Sequence, residues 1–202
     1  PNGNRVENLY DEDNPNPQAK GNLLEVARKA DEFDANPLVT RYTYDVGYNQ
    51  VKTVTDPLGR IVENFFDYEE VFGDLNDDGI TGQTAGNIVR VEYPVVHRPD
   101  GTLERPIRKI QYNDFGQIIR EIDPVNNIID NRYYADGAAN WYLEATIRDP
   151  NGLACERRYE YDAVGNVVTE FDGLGNDTTY VVNELNQVQE EAGPPVTLAN
   201  GQ

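Results

Sequence analysis

Arg158-Tyr159-Glu160-Tyr161-Asp162-Ala163-Val164-Gly165-Asn166-Val167-Val168-Thr169-Glu170-Phe171-Asp172-Gly173-Leu174-Gly175-Asn176 is the stretch that decides the fold. Its first part alternates polar and aromatic residues, which puts Tyr159 and Tyr161 on one face of a strand. Ala163-Val164-Gly165-Asn166 supplies a turn, with Gly165 free to take positive φ. Val167 to Phe171 is β-branched and aromatic and suits a returning strand. Asp172-Gly173-Leu174-Gly175-Asn176 then turns again. The whole stretch predicts a β-hairpin followed by the turn into the next one.

The same pattern recurs outward from it. Tyr112-Asn113-Asp114-Phe115-Gly116-Gln117 leads through Ile118-Ile119-Arg120-Glu121-Ile122 to Asp123-Pro124-Val125-Asn126-Asn127. Arg41-Tyr42-Thr43-Tyr44-Asp45 leads through Val51 to Thr55 and on to Asp56-Pro57-Leu58-Gly59-Arg60. A degenerate copy begins at Tyr180. The turn aspartates Asp56, Asp100, Asp123, Asp149 and Asp172 are spaced by 44, 23, 26 and 23 residues. One unit is therefore about 22–26 residues, two strands and two turns. The gap of 44 reads as two units whose middle turn is replaced by an insertion. The expected fold is all-β, an antiparallel hairpin meander, over residues 21–202, with insertions at 64–86 and 131–140. Residues 1–20 read as a loop-rich segment because of the Asn/Pro cluster at 11–18. Residues 21–33 carry a competing helical periodicity, but the strand reading leads.

Composition limits the chemistry. The chain of 202 residues has no Ser, no Met, one His (His97) and one Cys (Cys155). A Ser-His-Asp triad lacks its nucleophile, a Cys/His zinc site lacks ligands, and no intrachain disulfide can form. Net charge is −19, with 36 acidic against 17 basic residues. That field repels phosphate backbones and anionic lipid surfaces and favours cations. Neither nucleic acid nor membrane insertion is expected, since no apolar run reaches the roughly 18–20 residues of a spanning helix. With no initiator Met, the sequence reads as a piece of a longer chain.

Tyr-Asp, then Gly-Asn or Gly-Gln, then Asp-Pro-x-Gly at this period resembles the YD repeat of the Rhs family, which includes bacterial Rhs and polymorphic toxins, insecticidal toxin-complex subunits and teneurins. The resemblance covers roughly residues 21–202 and is strongest at 159–188 and 42–60. It implies an open segment of a sheet that spirals into a hollow β-shell. It further implies a structural role in a secreted or cell-surface protein. The partners would be the rest of its own longer chain and an enclosed C-terminal toxin or other polypeptide. The core segment in which the family often cleaves itself is not recognisable here, so no catalytic residue is carried over and no enzymatic activity is expected. The alternative is a carbohydrate-binding or cell-adhesion module, with glycans as partners.

The sharpest chemical motif is Phe72-Gly73-Asp74-Leu75-Asn76-Asp77-Asp78-Gly79-Ile80. Asp74, Asn76 and Asp78 stand at positions 1, 3 and 5 of a calcium loop, with Gly79 at 6 and the Ile80 carbonyl at 7. It resembles the loops of dockerins, EF-hands and FG-GAP repeats. Ala85 stands where the twelfth-position acid belongs, so a further carboxylate would come from Asp67, Glu69 or Glu70. The competing reading is an acidic surface turn.

Other residues have structural readings first. Tyr42, Tyr44, Tyr112, Tyr159, Tyr161 and Tyr180 form an expected ladder, with buried rings and hydroxyls reaching a neighbouring strand or water. The turn aspartates are expected to accept backbone N–H groups of their own turns. Trp141-Tyr142 with Tyr133-Tyr134 reads as core packing or a sugar-stacking platform. His97 is placed on the solvent side and Cys155 is read as a small buried hydrophobe.

Overall fold

The structure, a computed structural model, describes residues 4–31, 35–69, 86–135 and 141–194. Every regular element among them is a β-strand, and none is a helix. The chain falls into two compact units, Pro1–Gly116 and Gln117–Gln202.

In the first unit the strands are β1 (Arg5–Tyr10), β2 (Leu23–Lys29), β3 (Leu38–Tyr44), β4 (Val51–Thr55), β5 (Ile61–Phe66), β6 (Ile88–Glu92), β7 (Val96–His97), β8 (Leu103–Glu104) and β9 (Ile107–Tyr112). They form an antiparallel run in the order β1-β2-β3-β4-β5-β6-β9, and β7 with β8 makes a small separate hairpin. The second unit contains β10 (Ile118–Ile122), β11 (Ile128–Tyr133), β12 (Leu143–Arg148), β13 (Cys155–Tyr161), β14 (Val167–Phe171), β15 (Asp177–Val182) and β16 (Val188–Ala192), each paired antiparallel with its sequence neighbour. Both runs are open meanders, as the turn spacing predicts.

The minimal turn explains why Asp, Gly and Asn recur. In 162–166 the Asp162 N–H donates to the Asn166 carbonyl, and the Gly165 N–H donates to the Asp162 carbonyl. Gly165 takes φ +96°. This is a three-residue loop, a type I turn closed by a left-handed residue. Asp162 Oδ1 accepts the amides of Val164 and Asn166 at 3.0 and 2.9 Å, and its Oδ2 accepts Asn166 Nδ2 at 2.8 Å. The same pattern stands at Asp56, Asp123 and Asp172. Asn183 repeats the amide contacts with a neutral oxygen.

Burial is modest. Among the described residues the buried apolar side chains are Ala27, Phe66, Val91, Ile110 and Ala145. Stability therefore leans on ladder hydrogen bonds and cross-strand pairs. Arginine supplies many of these pairs. Arg120 forks onto both oxygens of Asp130 at 2.6 Å, Arg132 bridges Glu144 and Glu156, and Arg90 lies 3.6 Å above the Phe65 ring. The planar guanidinium suits both carboxylate and ring contacts.

Several boundaries differ from expectation. Within 1–20, Arg5–Tyr10 is a strand that pairs with β2. Tyr10-Asp11 is itself a Tyr-Asp pair, and the loop composition after it obscured the strand before it. Between Asp56 and Asp100 the described residues hold only one strand pair of the main run, β5 and β6. Asp100 caps the extra β7–β8 hairpin through the Thr102 amide, so among the described residues the gap of 44 holds one enlarged unit of the main run, where two were expected. Asn64 to Phe66 belong to β5, and Asn131 to Tyr133 belong to β11. Both insertions thus begin later than the sequence suggests.

Candidate functional site

Four tyrosines close the hairpins in the same way. The hydroxyls of Tyr44, Tyr112, Tyr133 and Tyr161 donate to the carbonyls of Leu23, Ile88, Ile118 and Leu143, at 2.9, 3.1, 3.0 and 2.8 Å. Each acceptor is the first residue of the strand paired ahead of the tyrosine's own. At the fifth such position stands Phe66, which has no hydroxyl and is fully buried. There Asn64 Nδ2 donates to the first carbonyl of β4, Val51, at 2.9 Å. Tyr133 joins the ladder although the sequence reading grouped it with the aromatic cluster. Its place at a strand end was the available signal. The ladder tyrosines in strands are half-buried rather than buried. Desolvation raises the pKa of Tyr44, Tyr133 and Tyr161, which therefore stay protonated donors.

A register shift accompanies most of these closures, at Thr43/Tyr44, Phe65/Phe66, Arg132/Tyr133 and Glu160/Tyr161. Such bulges bend a strand and re-aim its last side chain. No sequence signal marks them apart from their position before the turn.

In the first unit, three successive connections that follow strands ending in Tyr or Phe are longer than the minimal turn: 11–22, 45–50 and 67–87. Described residues of the first and the third each contact the second, which carries Asp45. Asp45 is buried and accepts the amides of Gly47 and Tyr48 at 2.7 Å, the amide of Gln50 at 2.6 Å, and the Tyr68 hydroxyl. Burial pushes its pKa up, but these donors outweigh burial and hold it below the ordinary value. Burial and the Asp45 carboxylate together push the Tyr68 phenol well above its usual range. Gln50 Nε2 donates to the Gly86 carbonyl at 2.7 Å, and both Asp67 oxygens accept amides, from Gly86 and Asn87. On the other side, Asn22 and Asn49 exchange side-chain amide bonds, and Asn49 Nδ2 donates to the Gln18 carbonyl at 2.6 Å.

Asp74, Asn76, Asp78 and Ile80 lie outside the described residues, as does Glu70. Asp67 is committed to backbone amides, and Glu69 to Lys52 at 2.6 Å and to the Phe66 amide. Among the described residues no group of three or more His, Cys, Asp or Glu side chains is arranged to hold a metal. His97 is exposed in β7, as expected. Cys155 is exposed rather than buried, because it opens β13 beside the turn that holds Gly173. In the aromatic cluster Trp141 takes φ +74° and stays 43% exposed, while the Tyr142 ring lies 5.0 Å from that of Tyr161.

No family model matches the sequence, and no curated protein matches it. Solved structures do match the fold. A TcdB2-TccC3 structure without its hypervariable C-terminal region aligns with TM-score 0.63 at 17% identity, covering 95% of this chain and 9% of that one. The Tc holotoxin pore of Photorhabdus luminescens aligns with TM-score 0.62 at 16% identity, over 95% of this chain and 9% of that one. A TcdB2-TccC3-Cdc42 structure aligns with TM-score 0.61 at 17% identity, over 87% and 9%. The chain thus spans about a tenth of the length of the chains it matches. The likeness is one of fold: an Rhs-like antiparallel repeat sheet.

Proposed function

We propose that this chain is a structural segment of a secreted or cell-surface protein of the Rhs/YD-repeat kind. Its repeat sheet would form part of a β-shell that helps to enclose a C-terminal toxin or other polypeptide. The observation that carries this reading is the alignment of 95% of the chain with a 9% stretch of a TcdB2-TccC3 chain. A segment that matches end to end within a much longer repeat chain is suited to scaffolding rather than to an independent activity. The latch and turn geometry, repeated unit after unit among the described residues, supports the same role. Calcium at Asp74, Asn76, Asp78 and the Ile80 carbonyl belongs to this proposal as an ordering ion for the 67–87 connection.

The test uses the parent polypeptide with and without residues 1–202. Limited proteolysis should leave the downstream segment intact in the full protein and expose it when the segment is removed. Equal cleavage in both would overturn the enclosure reading.

A further inference from the structure

Three turns of the second unit each hold out one large apolar residue that the fold itself does not use. The residue stands directly before the one with positive φ, and the capping aspartate accepts its amide. Val125 precedes Asn126, Leu153 precedes Ala154 and Leu174 precedes Gly175, and their amides donate to Asp123, Asp149 and Asp172 at 2.9, 2.9 and 2.8 Å. The three side chains are nevertheless 75%, 90% and 89% exposed. The turn does not require them. In the β7–β8 hairpin the Arg98 N–H donates to the Thr102 carbonyl, the Gly101 N–H donates to the Arg98 carbonyl, and Gly101 takes φ +83°, which is the same closure. There the residue before the glycine is the exposed Asp100, a polar residue typical of turns.

Val125, Leu153 and Leu174 lie at one end of their sheet, in the turns that join β10 to β11, β12 to β13 and β14 to β15. Successive turns are two strands apart, about 9.5 Å at the usual strand spacing. Between Leu153 and Leu174 the exposed Cys155 thiol lies against Gly173, where a Cβ would meet the sulfur. The apolar groups thus form a row rather than a scatter, and exposed rows of this kind mark contact surfaces.

Charge and repeat length select what fits the row. Residues 122–128, 148–155 and 171–177 hold four carboxylates, Asp123, Asp149, Asp172 and Asp177, against one base, Arg148. Asp123, Asp149 and Asp172 are held by amide donors, which leave their negative charge in place. A second copy of the chain would bring the same carboxylates to the row, and an anionic lipid surface would be repelled as well. An extended strand returns to one face at about 6.6 and 13 Å, out of step with the row. An α-helix returns to one face every seven residues, about 10.5 Å, which keeps step with it over three turns. We propose that this end of the second unit docks a basic amphipathic helix of a partner protein, with apolar residues seven apart set against Val125, Leu153 and Leu174 and with Lys or Arg beside them facing the turn carboxylates. The surface is separate from the enclosure reading.

The probe is a synthetic Ala/Lys-rich helix of three heptads with one Leu per heptad, titrated calorimetrically into the 202-residue chain. An environment-sensitive dye on Cys155, the one cysteine, reports the location. The probe should bind, shift the dye to the blue and weaken tenfold or more in Leu153→Asn combined with Leu174→Asn. Leu185→Asn, in the turn between β15 and β16 at the opposite end, should leave binding unchanged. A peptide with its Leu residues moved off the seven-residue repeat, and one with Glu in place of Lys, should bind at least tenfold more weakly. Thermal melts check folding, and if the double variant melts early then Leu174→Asn alone decides, with a loss of threefold or more expected. No binding of the probe, binding without a dye shift, equal binding of either altered peptide, binding that survives the Leu153 and Leu174 variants, a loss in Leu185→Asn, or a dye response to raised chain concentration without peptide would overturn the proposal. None of these outcomes bears on protease protection in the parent protein.

Discussion

The Tyr161 hydroxyl donates to the Leu143 carbonyl at 2.8 Å, tying the last residue of β13 to the first residue of β12. The regular pairing of β12 with β13 reaches only Ala145 opposite Arg158, so the bond ties the two strands beyond the end of their ladder, while the register shift at Glu160/Tyr161 lies on the other side of β13, in its pairing with β14. It gives a carbonyl at the strand entrance, beyond the last β12–β13 pair, a hydrogen-bond partner.

Removing only that bond, with Tyr161→Phe, should cost about 0.5–1.5 kcal/mol, the net worth of an ordinary hydrogen bond. Tyr161→Ala also removes a half-buried ring that packs against Tyr142 and Tyr134. Its cost should exceed that of the phenylalanine variant yet stay below the roughly 3–5 kcal/mol of a fully buried aromatic. Urea melts of both variants read this directly, and equal midpoints for the two would show that the ring contributes nothing.

Acid should loosen the turns. Side-chain bonds from Asn166 and Asn176, together with turn amides, lower the pKa of Asp162 and Asp172, and the Arg60 amide leads the same effect at Asp56. A folded-state pKa below the unfolded value, about 3.9, stabilises the fold above that pH. The contribution is lost as pH falls through the folded values. The melting temperature should therefore hold from neutral pH down to about 5 and drop below about 4. Asp162→Asn with Asp172→Asn should flatten that drop with little change at neutral pH, because Asn183 already caps Leu185 and Gln187 at 2.9 and 3.0 Å. An acid slope identical to that of the wild type would discount the turn aspartates.

Two glycines that look alike should respond differently. Gly175 takes φ +83° with open space around a would-be Cβ, whereas at Gly165 a Cβ would meet the Tyr142 hydroxyl at 2.5 Å. Asn126 and Asn186 occupy the equivalent turn position at φ 66° and 60°. Gly175→Asn should be nearly neutral and Gly165→Asn clearly destabilising, because the second must also displace the Tyr142 ring. Thermal melts giving both variants the same midpoint would contradict this.

Calcium should raise the melting temperature and a chelator should lower it. A ligand that binds only the folded state adds about 2.7 kcal/mol at a hundredfold excess over its dissociation constant. With Ala85 at the twelfth position, affinity in the 10⁻⁴–10⁻³ M range of extracellular modules is expected. Asp74→Ala combined with Asp78→Ala should abolish the response. No calorimetric heat at millimolar calcium, with an unchanged melt, would leave the loop an acidic turn.

The meander itself is written in local chemistry. The capping aspartate or asparagine, the residue able to adopt positive φ and the β-branched runs between turns act within a few residues, so the pattern alone revealed strand order and the turns at 56–60, 123–127, 162–166 and 172–176. Tertiary structure decided what depends on partners distant in sequence. The tyrosines prove to be latches because each hydroxyl finds a carbonyl 15 to 24 residues earlier, and no local pattern names that acceptor. Cys155 is exposed at the start of β13, beside the turn that holds Gly173. The Asp45 cluster exists only because residues of different connections, remote in sequence, meet once the strands pair. Side-chain chemistry dictated each hairpin, and strand pairing brought the connections of different hairpins together.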